Sequence, residues 1–259
     1  MSIPRILTFH KLCPAITYGS TNYSPGRFRS LLKSLSEAGY RLVSLQDALD
    51  TAEGERAIAV TFDDGYEHLA KYLPDIIREF SLRPTLFIPT QFIGKASNWD
   101  YTRLVRADRH LDKAQIRELA GLGVEIGAHG HSHVALTELT GERLEEELML
   151  PRRILEDVVG CPVTRISYPF GRISGPVIEA TRRAGYSHGF TTQFPSAGDP
   201  PLATGRHGVW FFDTPLSVRR KLEPGTWFHR IERIKADVGR QLSAGTGIFN
   251  RLTGYSPGD

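Results

Sequence analysis

The sequence predicts an α/β fold built on a mainly parallel sheet with helices packed on its faces. Short apolar runs of strand length alternate with longer stretches whose apolar residues recur at helical spacing. The 259 residues suit one large α/β domain with a substantial core. No internal repeat or low-complexity tract breaks the pattern. A composition of 40% hydrophobic and 24% charged residues with net charge +3 is that of an ordinary globular protein, neither disordered nor so cationic as to imply nucleic acid.

The first expected strand is Ile6-Leu7-Thr8-Phe9. Phe28, Leu31, Leu32, Leu35 and Ala38 then recur at helical spacing behind Ser24-Pro25, a start signal, and before Gly39, a stop. Residues 42–45 read as a short extended piece and 46–51 as one or two helical turns. The apolar run Ala57-Ile58-Ala59-Val60 opens a buried strand over 57–62. A helix over 67–80 carries Leu69, Leu73, Ile76, Ile77 and Phe80 along one stripe. Further strands are expected at 85–89, 124–128, 165–168 and 189–192, with helices over 113–122, 141–159 and 176–184. Residues 91–110 show no clean period and read as a substrate-side loop.

From about Leu216 the pattern becomes basic and loosely amphipathic, with Arg219, Arg220, Lys221, Arg230, Arg233, Lys235 and Arg240. The expected organisation is therefore one domain over 1–215 and a helical extension over 216–259 packed on it. A solvated helical tail is the plainer reading of these charges; contact with an anionic membrane surface or an anionic carrier substrate is the sharper one, which Trp227 and Phe228 beside them keep open. Cys13 and Cys161 show no C-x-x-C spacing, so neither a disulfide framework nor a thiolate zinc site is expected, and both read as buried small residues. The amino terminus runs directly into Ile6-Leu7-Thr8-Phe9, which is too short for the apolar core of a secretory signal, and no run approaches the ~20 apolar residues that span a bilayer. The expected compartment is the cytoplasm.

Two motifs carry the chemistry. Thr61-Phe62-Asp63-Asp64-Gly65 sets adjacent carboxylates at the end of a strand, and His129-Gly130-His131-Ser132-His133 offers imidazoles four residues apart after another. A catalytic divalent ion takes three imidazole or carboxylate ligands and leaves a position open, and Asp64, His129 and His133 supply that count. Water polarised by such an ion becomes a nucleophile at neutral pH once a base takes its proton, and Asp63 is the expected base. Neighbours on an ideal strand point to opposite faces, so Asp63 and Asp64 share a site only if the chain turns there, which Gly65 permits. His131 is expected to point away, and Ser132 to fix the local turn by a side-chain hydrogen bond. Zinc is the expected ion, although cobalt, nickel and manganese tolerate the same donors.

These motifs, with Leu136 and then Tyr168-Pro169-Phe170-Gly171, resemble those of the polysaccharide deacetylases, the NodB-homology group of carbohydrate esterase family 4. The resemblance covers roughly residues 6–209. It implies a deformed (β/α) barrel of about seven parallel strands that removes acetyl groups from amino sugars with a divalent metal. By position it makes Asp63 the base and Asp64, His129 and His133 the ligands. The backbone N–H near Phe170 becomes an oxyanion donor, with Tyr168, Arg206 and Trp99 as substrate contacts.

Two departures stand out. Ser167 occupies the place where the family commonly has an arginine that orients the base, which leaves Arg172 and Arg206 as candidates for that task. The late Leu-x-His motif that supplies the general acid has no good copy here. His10, at the end of the first strand, fills the gap by position, as in a permuted, exopolysaccharide-type arrangement. Its rivals are His207, His188 and His229, while His110 reads as exposed. Trp99, Trp210 and Phe212 are candidates for sugar stacking. The expected partner is an N-acetylated amino sugar in a nucleotide-linked, lipid-linked or oligomeric glycan. Two other readings are a hydrolase of a non-sugar amide or formamide, and a barrel that binds metal and carbohydrate without turnover.

Overall fold

The computed structural model describes residues 3–14, 21–52, 54–97 and 108–223, together with 227, 231 and 234. Seven parallel strands form one curled sheet, in the order β10 (His207–Gly208), β1 (Ile6–Phe9), β5 (Ala57–Phe62), β6 (Thr85–Ile88), β7 (Glu125–Ala128), β8 (Arg165–Ser167) and β9 (His188–Phe190). Parallel pairing holds across every neighbouring pair. The sheet curls until its two edges approach: Phe190 bridges Thr204, and the Arg206 N–H donates to the Gln193 carbonyl at 2.9 Å. This is the expected deformed (β/α) barrel. The short β4 (Arg41–Leu42) lies outside that path, on the first two residues of β5.

Side-chain alternation along each strand divides the residues between two environments. Leu7, Phe9, Ile58, Val60 and Phe62 face outward and join the large core beneath α1 (Pro25–Glu37), α3 (His68–Phe80), α4 (Lys113–Gly121), α5 (Gly141–Val159) and α6 (Gly175–Arg183). Ile6, Ala57, Ala59, Phe87 and Phe190 form a second, smaller cluster with Leu45 and Ala48 of α2 (Leu45–Leu49). Gly127 faces Phe87 across the register, and a Cβ there would lie 2.6 Å from the ring, so glycine is what lets Phe87 fill the interior. Above this apolar layer the inward positions are polar: Thr8, Thr61, Ser167 and Arg206, then Asp63 and His129 at the strand ends. Sequence alternation thus sets a polar layer on an apolar floor.

Helix caps follow the expected chemistry. Ser24 accepts from the Arg27 N–H to start α1, and Asp112 forms a reciprocal capping box with Gln115 at α4. Leu45 is not extended but opens α2, which Ser44 caps in a box with Asp47. Cys13 is buried as expected, but Cys161 is exposed. Three elements went unanticipated: the paired β2 (Lys11–Leu12) and β3 (Asn22–Tyr23), and β10. α7 (Pro215–Leu222) starts at the boundary placed after residue 215 and covers the first part of the expected helical extension. That helix buries Val218, Lys221 and Leu222, donates from Lys221 Nζ to the Gly208 carbonyl at 2.9 Å, and accepts from Arg5 at the Leu222 carbonyl at 3.2 Å. Most of the expected extension, from 224 onward apart from 227, 231 and 234, lies outside the described residues. No helix among the described residues is long and apolar enough to cross a membrane.

Candidate metal centre

Asp63, Asp64, His129 and His133 converge at the carboxyl ends of β5 and β7. Asp63 continues the inward face of β5, after Thr61. Asp64 then adopts φ 68° and Gly65 φ 61°, so the chain turns left-handed as soon as the strand ends and both carboxylates reach one site. Among the described non-glycine residues only Asp64, His133, Phe170 and Ser81 have positive φ, and the first three belong to this site. Strain of this kind persists where surrounding contacts impose it.

Asp64, His129 and His133 fit a divalent ion. Asp64 Oδ1 stands 3.3 Å from both His129 Nε2 and His133 Nε2, and one donor atom from each residue lies within 4.8 Å of the others. Donors arranged tetrahedrally about 2.1 Å from a shared zinc stand about 3.4 Å apart. His129 Nδ1 lies 2.7 Å from the Ser167 carbonyl, which can only accept, so Nδ1 carries the proton and Nε2 presents the donor atom. Burial pushes the Asp64 carboxyl up, but hydrogen bonds from the two imidazoles outweigh it and hold the group well below the usual range. His129 is lowered by burial and raised more strongly by Asp64 and Asp63, so it ends above the ordinary imidazole value. At His133 burial prevails.

Asp63 is gripped separately. Arg206 donates through one terminal nitrogen to Oδ1 at 2.9 Å and through the other to Oδ2 at 2.7 Å. The same guanidinium donates to Ser167 Oγ at 2.7 Å and Thr61 Oγ1 at 3.0 Å, and its Nε to the Thr191 carbonyl at 3.2 Å. Ser167 Oγ donates to Asp63 Oδ2 at 3.1 Å. The arginine absent at position 167 is therefore replaced from the residue just before β10, by a side chain that crosses the barrel interior over the rings of Phe87 and Phe190. Burial raises the Asp63 carboxyl, and the Arg206 charge and hydrogen bonds outweigh that and hold it ionised below the usual range. Arg172, the other candidate, pairs instead with exposed Glu138. Arg206 does not face a substrate: it is 1% exposed and its donors are spent on the barrel.

Tyr168 is a second correction among the expected substrate contacts, since it is fully buried and its hydroxyl donates to the Leu202 carbonyl at 2.8 Å. Phe170 sits at the site, at φ 59°, with its ring 5.0 Å from His133. Trp99 lies outside the described residues. His131 points away and meets Thr90 Oγ1 at 2.8 Å. Ser132 does hold its turn, through α5 rather than locally. Buried Glu147 accepts from Ser132 Oγ at 2.5 Å and from the N–H groups of Ser132 at 3.0 Å and His131 at 2.8 Å.

Strand register separates the candidate acids. Phe9 pairs with Phe62, so His10 is level with Asp63, and the alternation that turns Thr8 inward turns His10 inward too. It lies within electrostatic reach of Asp63, Asp64 and His133. His207 pairs with Leu7, which pairs with Val60, about 10 Å below Asp63 along the strand. It also alternates with inward Arg206 and packs edge-on against Phe194. His188 lies at the first position of β9, the end remote from the site, and His229 lies outside the described residues.

His110 is not exposed but 2% accessible. Its Nδ1 meets the Asp64 carbonyl at 2.8 Å, its ring stacks on Tyr66 at 4.9 Å, and burial pushes its pKa down to about 4. No spacing in the sequence signals this support.

Residues 50–189 match the family model described as polysaccharide deacetylase. The chain is 26% identical over 194 residues to YxkH of Bacillus subtilis, named as a polysaccharide deacetylase-like protein, covering 73% of this chain and 64% of that one. It is 28% identical over 159 residues to a peptidoglycan-N-acetylglucosamine deacetylase of Bacillus cereus, covering 60% and 63%. The chain thus spans a little under two thirds of the length of these curated relatives. Its fold is similar to the Streptococcus pyogenes deacetylase PplD, at TM-score 0.73 and 19% identity over 86% of this chain and 99% of that one. It is also similar to BC0361 of Bacillus cereus, at TM-score 0.71 and 23% identity over 85% and 68%.

Proposed function

The chain belongs to the polysaccharide deacetylase family, and from that premise we propose that it is a metal-dependent hydrolase that removes an N-acetyl group from an amino-sugar glycan or glycan precursor. The single observation that carries this reading is the Asp63 carboxylate, buried and ionised beside the Asp64–His129–His133 triad yet held by Arg206. A barrel that only binds has no need of such a base.

A divalent cation on Asp64, His129 and His133 supplies Lewis acidity, which makes water nucleophilic near pH 7 and polarises a carbonyl. Asp63 takes the proton of the attacking water at a carboxylate oxygen while Arg206 fixes the orientation of that carboxylate. The Phe170 backbone N–H is assigned to the developing oxyanion, a task that needs a fixed dipole rather than a side chain. His10, level with Asp63, donates a proton to the departing nitrogen, and acetate and a free amine leave. The substrate in this reading is an N-acetylated amino sugar carried on a nucleotide, a lipid or an oligosaccharide. Zinc is the proposed ion, with cobalt, nickel and manganese as alternatives.

Asp63→Asn tests the assignment. The variant is expected to bind zinc with the stoichiometry of the parent and to lose acetate release from N-acetylglucosamine oligomers by at least ~100-fold. Equal acetate release by the two proteins would end the catalytic reading.

A further inference from the structure

Phe211, Phe212 and Leu216 stand 51%, 53% and 53% exposed at one corner of the barrel. The two phenylalanines occupy the central positions of a turn closed by the Asp213 N–H on the Trp210 carbonyl at 2.9 Å. Turns ordinarily place glycine, proline, asparagine or aspartate there. The two rings meet edge to face, 5.3 Å apart.

This tip is held from beneath. Arg27 donates to the Phe211 carbonyl, and to the Asp213 carbonyl at 2.6 Å. The Tyr23 hydroxyl donates to the Asp213 carbonyl at 3.1 Å. Asp213 Oδ2 accepts from the Trp210 N–H at 2.8 Å and from buried Lys221 Nζ at 2.5 Å, and Oδ1 from Ser217 Oγ at 2.9 Å. A buried ion pair and a neighbouring arginine therefore fix a turn whose apolar side chains stay in solvent. The turn follows β10, where the Val209 N–H bonds the Thr8 carbonyl at 3.0 Å, so it rises from the same end of the barrel as His10 and Asp63.

We infer that Phe211, Phe212 and Leu216 insert into an anionic lipid surface and seat this rim of the barrel against it. Neither aromatic ring carries a hydrogen-bonding group, so a convex tip of this kind suits acyl chains better than a glycan, whose hydroxyls need polar partners. The charge of the chain agrees. Residues 216–259 hold eight Lys and Arg against four Asp and Glu, which accounts for the whole positive balance and favours an anionic headgroup layer. That the metal centre would then meet a lipid-borne amino sugar rests on the deacetylase reading; the lipid contact does not.

The test is sedimentation of the full chain with vesicles of phosphatidylcholine alone and of phosphatidylcholine with phosphatidylglycerol in equal parts. The parent protein is expected to partition onto the anionic vesicles, and the double variant Phe211→Ser, Leu216→Ser to lose at least ~10-fold in partitioning while releasing acetate from a soluble substrate as before. Phe212→Trp provides a second readout, because its indole is expected to be quenched by brominated lipid. No binding by the parent, equal binding by the double variant, or an indole beyond reach of the quencher would overturn the proposal. A changed oligomeric state with unchanged vesicle binding would also overturn it, by assigning the tip to a second copy of the chain. Vesicle binding is read without turnover, so its failure is distinct from failure of the catalytic reading.

Discussion

Asp63 and Arg206 form a buried ion pair beside the Asp64–His129–His133 cluster, and they are 143 residues apart in sequence. Removing the guanidinium would strand a buried carboxylate, a change that typically costs about 3–5 kcal/mol, so Arg206→Ala is expected to lose much of its stability. Arg206→Lys keeps the charge and loses the two-pronged grip. It is expected to fold, to lose roughly 10- to 100-fold in kcat, and to move the acid limb of its pH–rate profile upward, because Asp63 ionises less readily without the full clamp. An unchanged acid limb would show that Arg206 does not set the protonation of Asp63. His110 makes a second prediction at this scale. Its folded pKa of about 4 lies below the ordinary 6.5, so as pH falls from 6.5 the unfolded chain takes up a proton that the folded chain refuses. The stability present above 6.5 is therefore lost toward pH 4, at up to about 1.4 kcal/mol per pH unit. His110→Asn should lose that part of the slope in urea titrations across the window, whereas an identical slope would contradict it. That Asp63, Asp64, His129 and His133 gather at one site could be read from the sequence because each pair lies within one short motif at a strand end. Arg206 could be named only as one of two candidates and His110 read as exposed, because no local period marks a side chain that reaches back across the barrel or packs under a turn.

At the scale of elements, the site is two strand-end turns braced by neighbours. The 129–133 turn hangs on Glu147 of α5, whose carboxylate accepts three hydrogen bonds from it. Glu147→Gln keeps one acceptor oxygen and replaces the other with a donor facing N–H groups. It is expected to weaken zinc binding roughly 10- to 100-fold, measured by competition with a chromophoric chelator, with the far-ultraviolet dichroism preserved. Unchanged affinity would show that the turn holds its shape without α5. The long helices and apolar strands were legible because their periods are strong. β10 escaped notice because its two residues, His207 and Gly208, carry no apolar signal, although its pairing with β1 is what delivers Arg206 to the interior.

For the whole molecule, the barrel places a polar layer on an apolar floor and opens it at the carboxyl ends of the strands, the end at which parallel α/β folds generally place their chemistry. An ion held only by the folded state stabilises it by about 4 kcal/mol at a thousandfold excess over Kd, so chelation is expected to lower Tm by roughly 10 °C. His129→Ala should show no such response, and an equal shift in both proteins would place the ion elsewhere. The most direct measurement of the account is anomalous diffraction from zinc-loaded crystals at the zinc edge. One peak is predicted within bonding distance of an Asp64 carboxylate oxygen, His129 Nε2 and His133 Nε2, with Asp63 still bound to Arg206. A peak away from those three atoms, or one ligated by Asp63, would contradict the account.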